Sequence, residues 1–319
     1  MEIIGDMMVT ENSVTCANEV FIIGNGVIAK ALAVILQING RKVTILRGSI
    51  DGQAISTEHI EVEVGDEVLK AEISISALSN HEKLDGLILL TNKSFGNPAL
   101  AEKLRLKAAG SPIVFLQNGL HIEHSFMELG FKELYRCVLL ATSQSVDHNK
   151  VRFRLVDASP IGVIKGSITV LHHLVAVLNT SLFSFRLEAD IQLLIWKKVI
   201  SNCVFNSICP LLEIDNGVFW RNDEVLNLAK TVIGECLVAA HVNGIQLTME
   251  EVLANVLAIS KMSDGQKIST YQDILNKRET EIDTLNFAVA KAAGGKEKVP
   301  VTALLGELTK IKSDLSRKP

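Results

Sequence analysis

Val20 to Ile23 is an unbroken apolar run that stops at Gly24-Asn25-Gly26, and apolar residues at helical spacing follow from Val27 to Ile38. A strand with no polar alternation has no face for water, so it must be covered on both sides, the condition of a parallel sheet flanked by helices. Asn39-Gly40 supplies the left-handed stop that ends a helix, and Val43 to Leu46 opens a second apolar strand. Strand, helix and strand in this order form a βαβ unit, which commits the chain to an open parallel sheet.

Further along, Ile60, Val62, Val64 and Val68 alternate around Gly65-Asp66, the pattern of a half-exposed hairpin. Apolar strands return at Leu87 to Leu90 and Ile113 to Leu116, with a helix opening at Pro98 between them. From about Arg186 the spacing becomes helical through Lys198, Val232, Leu253 and Leu285. The 319 residues exceed the roughly 100 to 200 of one domain. The fold expected is α/β, an N-terminal Rossmann-type doubly wound sheet followed by a mainly α-helical C-terminal domain. Residues 1–19 are expected to be a mobile extension, 20–184 a cofactor-binding domain, and 185–319 a helical substrate and catalytic domain.

Charge and cysteine usage narrow the function. With 32 basic against 36 acidic residues the net charge is -4, so the overall basic field on which nucleic-acid binding depends is absent. Cys16, Cys137, Cys203, Cys209 and Cys236 are scattered without a CxxC pair, as in a reducing compartment, and a cytoplasmic protein is expected. The first nineteen residues hold Glu2, Asp6, Glu11 and Glu19 but no Lys or Arg, unlike a signal peptide. The apolar stretch Ile168 to Phe185 is interrupted by His172, His173 and Asn179, so no membrane span is expected. His121 with His124 lacks a matched acid or thiol, so no metal site is expected, and no GxSxG elbow suggests a serine nucleophile.

Gly24, Asn25, Gly26, Val27, Ile28 and Ala29 form GxGxxA, in which the glycines permit a tight turn and close approach of a pyrophosphate to helix-terminal amides. The bare pattern also occurs in ordinary glycine-rich turns; the strand before it and the helix after it favour a dinucleotide. NAD enzymes place an acid at the end of the second strand, but this chain has Arg47, followed by Gly48 and Ser49, which suits a 2′-phosphate and hence NADPH. Lys93 and Asn118-Gly119 follow the next two apolar strands, at the sheet edge where open α/β sheets bind ligands.

One helical face in the second half carries Lys198, Asn202 and Asn206, four residues apart, bordered by Leu194, Ile195, Val199 and Phe205. A lysine amine among apolar neighbours loses hydration, which pushes its pKa toward neutrality and suits a proton donor, while the same stripe also fits a helix whose polar face meets water or another domain's polar edge. Downstream, Ser269 to Asp273 and Arg278 to Asp283 crowd hydroxyl, amide and acid groups, which alone suggests an exposed helical segment.

Taken together, GxGxxA at Gly24 to Ala29, Lys93, Gln117-Asn118-Gly119, Trp196-Lys197-Lys198 with Asn202 and Asn206, and Ser269 through Thr280-Glu281-Ile282-Asp283 resemble the ketopantoate reductase family in order and spacing, from Val20 to about Leu305. The resemblance implies NADPH-dependent reduction of 2-dehydropantoate to pantoate, as in pantothenate and coenzyme A biosynthesis. It implies that Lys198 is the general acid, that Asn202, Asn206 and Asn216 hold the substrate, and that Ser269 meets its carboxylate. Glu281 would bind the substrate's hydroxyl end and tune Lys198, Asn118 would bridge cofactor and substrate, and Arg47 and Lys93 would meet cofactor phosphates. The partner implied is a small 2-keto acid, with a homodimer left open. Ala29 in place of a third glycine, Gln266 three residues before Ser269, and Thr302 after Pro300 depart from the family pattern. Gln266 keeps open another branched or aromatic 2-keto acid, or a 2-hydroxy acid such as mandelate; a non-catalytic NADP(H)-binding regulator is the remaining alternative.

Overall fold

The structure, a computed structural model, describes residues 19–48, 52, 54–108 and 110–318. Residues 1–18 of the expected extension, with Cys16, and Ser49 lie outside the described residues.

The βαβ unit forms as expected: β1 (Glu19–Ile23), α1 (Val27–Ile38) and β2 (Lys42–Arg47). Next come β3 (Ser56–Val64), β4 (Glu67–Ala77), β5 (Leu87–Leu90), α2 (Asn97–Arg105), β6 (Ile113–Phe115), α3 (His124–Glu128) and β7 (Leu134–Cys137). Strands β8 (Ala141–Asp147), β9 (Lys150–Leu155) and β10 (Ser159–Lys165), helix α4 (Ile168–Leu178) and strand β11 (Phe185–Leu187) complete the sheet. Among the described residues the eleven strands form one sheet, ordered β11-β10-β7-β6-β5-β1-β2-β4-β3-β9-β8. β1 pairs in parallel with β2 on one side and β5 on the other, so the strand order reverses at β1, and a crevice opens beyond the carboxyl ends there.

The expected hairpin is β3–β4, antiparallel over its whole length, and β4 also joins β2 in parallel. Strands β7 to β10 have no counterpart in the expectations. In β9 the alternation (Val151, Phe153 and Leu155 inward, Arg152 and Arg154 outward) belongs to a half-exposed strand, which unbroken apolar runs do not reveal, whereas β7 is a short buried strand interrupted by Arg136. The hairpin β8–β9 has a structural task. Helix α1 buries Ala29 and Ala31 through Leu36 completely, which a helix covered on one side cannot do. The sheet curls so that α1 packs against β2, β4 and β3 and also against β9 and β8. Lys30, the one charge on α1, is buried and donates to the carbonyl of His148 and, at 2.9 Å, to Asn149 Oδ1 in the β8–β9 turn.

The other sheet face carries Phe21, Ile23, Ile88, Leu90 and Phe115 against Leu100 and Leu104 of α2 and Phe126 of α3. Beyond β11 the chain is helical: α5 (Ile191–Leu212), α6 (Val218–Arg221), α7 (Asp223–Val242), α8 (Met249–Met262), α9 (Ser269–Leu275), α10 (Asn286–Ala292) and α11 (Pro300–Arg317). These share a separate core around Ile195, Val199, Val204, Phe205, Phe219, Val232, Cys236 and Val256. Asp190 caps α5 by accepting from Leu193 N at 3.2 Å, and a reciprocal Thr248–Glu251 capping box starts α8. Helix α7 is long and apolar enough to cross a membrane, yet it packs among α5, α8, α10 and α11 as a core helix.

One expectation is corrected here. Residues 269–283 are not one exposed helical segment: α9 ends at Leu275, Lys277 takes a left-handed φ of 54°, and the chain turns back with Arg278 N donating to Asp273 O at 2.8 Å. Thr270, Tyr271, Asp273 and Glu281 are buried, because the turn folds this segment against the sheet's carboxyl edge.

Candidate active site

The β1–α1 turn is built by backbone approach. Gly24 has φ 119°, and a Cβ there would lie 2.7 Å from Thr91 Oγ1 and 2.8 Å from Asn92 N, so no L side chain fits where β1 passes the end of β5. Thr91 N and Asn92 N both donate to Ile23 O, at 2.9 and 3.1 Å, closing that contact. Gly26 is the opposite case: a Cβ there would meet nothing within 4 Å, so the glycine leaves an open approach to the start of α1. No side chain caps α1, its first turn has no acid, and Asn25 Oδ1 is buried without a partner. Uncapped first-turn amides behind an open glycine turn fit a dinucleotide pyrophosphate.

Around this turn the other strand ends converge. Arg47 ends β2, and its Nη2 donates to Glu58 Oε1 of β3 at 3.0 Å. Glu58, on the β3–β4 hairpin, is absent from the expected site residues. The Asn118-Gly119 turn follows β6. Gly119 has φ 113°, and a Cβ there would fall 2.6 Å from Thr284 Cβ, while Leu120 N donates to Thr284 O at 2.9 Å. That glycine lets the sheet edge touch the segment ahead of α10.

Lys198 stands on α5 facing this edge. Its ammonium donates to the Leu139 carbonyl at 2.8 Å, and the half-buried residue lines a small, partly open cavity with Asn118, Arg136, Cys137, Ile195 and Val199. The cavity, ≈ 10 Å³, is on the scale of one water molecule. Burial lowers the pKa of Lys198 to about 8. A Cys137 thiolate would oppose this, but burial pushes that thiol up to about 12, so at neutral pH it carries no charge. Within that net lowering the Arg136 cation acts in the same direction as burial and the Glu281 carboxylate opposes it.

Lys93 faces the helical side. Its Nζ lies 2.8 Å from Asp273 Oδ2 and 3.2 Å from Glu281 Oε2. Burial would lower its pKa, but Glu281 and Asp273 outweigh that and hold it above the ordinary lysine value. Glu281 also accepts from Ser94 N and Ser94 Oγ, both at 3.3 Å, and Ser94 Oγ pairs with Thr284 Oγ1 at 3.0 Å. The ammonium expected at a cofactor phosphate is thus held between two carboxylates of the 269–283 segment.

On α5 the polar face continues from Lys198 to half-buried Asn202 and buried Asn206. Asn206 Oδ1 accepts from Ser269 Oγ and Thr270 N, each at 3.3 Å, which joins two expected substrate residues. Asn216 is buried, its N donates to Gln266 O at 2.8 Å, and its Oδ1 has no partner. Arg136, Asp273, Ser94 and Thr284 are site residues that the sequence expectations omit. Arg136 carried a usable signal, since a guanidinium inside the apolar run Leu134 to Leu140 must find a partner.

A sheet reversing at β1, an uncapped helix behind a glycine turn, and a half-buried lysine where helices meet the strand ends define an α/β architecture suited to a dinucleotide, with a helical second half. Residues 20–165 match the family described as "Ketopantoate reductase PanE/ApbA", and residues 190–313 match "Ketopantoate reductase PanE/ApbA C terminal". The chain belongs to the ketopantoate reductase family, and it is an oxidoreductase acting on CH–OH groups. It is 25% identical over 302 residues to a 2-dehydropantoate 2-reductase of Pyrococcus abyssi (strain GE5 / Orsay), covering 94% of this chain and 99% of that one. Among solved structures, D-mandelate dehydrogenase in a ternary structure with NADH and anilino(oxo)acetate shares the fold at TM-score 0.81 and 21% identity, covering 94% of this chain and all of that one (100%). A PanE/ApbA family ketopantoate reductase from Ralstonia eutropha JMP134 does so at TM-score 0.79 and 20% identity, covering 94% and 100%.

Proposed function

We propose that this chain reduces the ketone of a 2-keto acid, with 2-dehydropantoate as the preferred substrate and NADPH as the reductant. The observation that carries this reading is the Lys198 amine, with a pKa brought down to about 8, lining one small cavity with Asn118 at the strand ends. In this reading Gly24, Asn25, Gly26, Val27, Ile28 and Ala29 hold the cofactor's pyrophosphate, Arg47 meets its phosphates, Asn118 orients the reacting end, and Lys93 would reach a phosphate only by leaving its pairing with Asp273 and Glu281. A reduced nicotinamide, when bound, supplies the hydride. Lys198 donates its proton to the oxygen that gains charge at the former ketone, so one group provides both electrostatic stabilisation and the proton. Asn202, Asn206 and Asn216 hold the substrate, and Ser269 meets its carboxylate. Glu281, paired with Lys93, would hold the substrate's hydroxyl end and temper the acidity of Lys198. The division of labour falls near Ser184, with residues 20–184 carrying the cofactor and 185–319 the substrate.

NADPH over NADH is supported by Arg47, a cation where NAD enzymes carry an acid. The Glu58 carboxylate against it reduces the net positive charge offered to a 2′-phosphate, so the selectivity expected is modest. A second reading keeps the reaction and changes the acid: Gln266 is a methylene longer than the family's asparagine, and the fold is shared with a mandelate dehydrogenase. Initial rates with 2-dehydropantoate, branched and aromatic 2-keto acids, each with NADPH and NADH, test both readings. The highest kcat/KM for 2-dehydropantoate with NADPH supports the first; higher values for an aromatic acid favour the second, and no cofactor oxidation with any of them contradicts both.

A further inference from the structure

Arg136 is a buried charge at the site to which the reaction above gives no task. It stands on β7 with 2% of its surface exposed, where an unpaired guanidinium would be strongly destabilising. Nη1 donates to Glu123 Oε2 at 2.7 Å and Nη2 to Gly119 O at 2.9 Å, while Nε is buried without a partner. Arg136 also lines the cavity that Asn118 and Lys198 share, so two cationic residues border one small space. An ion pair needed only for folding gains nothing from standing against a second cation, because like charges at short range in a poorly hydrated site repel.

We propose that Arg136 is a positioning residue for the reaction: it fixes the Asn118-Gly119 turn through the Gly119 carbonyl, and its charge, anchored by Glu123, favours release of the Lys198 proton to the substrate oxygen. The inference rests on Lys198 being the proton donor. The charged and titratable groups facing Lys198 are Arg136 and Cys137 from β7 and Glu281 from the segment ahead of α10. Cys137 stays a neutral thiol, and Glu281 acts in the opposite direction while paired with Lys93. Arg136 is therefore the neighbour that makes Lys198 a stronger acid.

The test is the pH profile of kcat/KM for keto acid reduction in three variants of the full chain. Arg136→Met combined with Glu123→Gln removes both charges together and strands no buried carboxylate. Its alkaline limb should move to higher pH, and kcat/KM at neutral pH should fall by roughly ten- to a hundredfold as the turn loosens. Arg136→Lys keeps the charge and loses the forked contact, so kcat/KM should fall while the limb stays in place. An unmoved limb in the double variant, or wild-type kcat/KM in Arg136→Lys, overturns the proposal; should the double variant fail to fold, Arg136→Lys still decides. Lys198→Ala separates the two levels. Wild-type turnover in that variant overturns the Lys198 reading and this inference with it, whereas lost turnover there with an unmoved limb in the double variant overturns the inference alone.

Discussion

The cofactor end and the substrate end of the crevice are made in different ways. At the cofactor end the working parts are backbone: a glycine at φ 119° that no side chain could replace, a second glycine facing open space, and the amides of an uncapped helix. All of it comes from the six consecutive residues Gly24 to Ala29, the turn after β1 and the first residues of α1. At the substrate end the working parts are side chains from segments far apart in the chain: Lys198 on α5, Asn118 after β6, Arg136 on β7, Asp273 on α9 and Glu281 beyond it. A backbone site is specified by local conformation and tolerates change only where space allows. A side-chain site depends on packing between elements, and its acidity is set by which charges that packing brings close.

This contrast can be broken first at its largest expected effect. Lys198→Ala should lower kcat by about 10² to 10⁴, the usual size of a general-acid contribution, with the Kd for NADPH almost unchanged. Equal loss of both in steady-state kinetics and a cofactor-binding titration would make Lys198 a cofactor residue. Gly24→Val comes next: the side chain would have to displace Thr91 and Asn92, costing about 1–3 kcal/mol or more of stability and abolishing cofactor binding. Thermal unfolding and NADPH titration check this, and a variant that binds normally would remove the close approach from the account. Gly26→Ala should be far milder in stability, because its Cβ meets open space, yet it should weaken cofactor binding. Smallest of all, Arg47→Ala should narrow the NADPH over NADH preference in kcat/KM by less than about tenfold, one ion contact being worth about 1 kcal/mol at a half-exposed site.

The same division explains what could be read from the chain beforehand. The β1–α1–β2 unit, the strands at Leu87 and Ile113 and the β3–β4 hairpin were legible, because apolar runs and turn residues are local signals. Strands β7 to β10 were not: β8 and β9 carry a weak half-exposed alternation, and β7 is a four-residue buried strand with Arg136 inside it. Lys198, Asn202 and Asn206 could be placed on one helical face from spacing alone. That Lys93 would pair with Asp273 and Glu281 could not, because the turn at Lys277 that brings both acids to the sheet edge depends on tertiary packing. The Arg47–Glu58 pair was hidden for the same reason: it joins a strand end to a hairpin two strands away.

The pH dependence in both directions of the reaction tests the Lys198 assignment most directly. Reduction needs the ammonium form, which predominates below its pKa of about 8, so kcat/KM for the keto acid should fall as pH rises through that value. Oxidation of the corresponding hydroxy acid needs the free amine, so its kcat/KM should rise over the same range. Two limbs crossing near pH 8, both absent in Lys198→Ala, are the expected result; profiles flat through that range, or limbs that persist without the lysine, would contradict it.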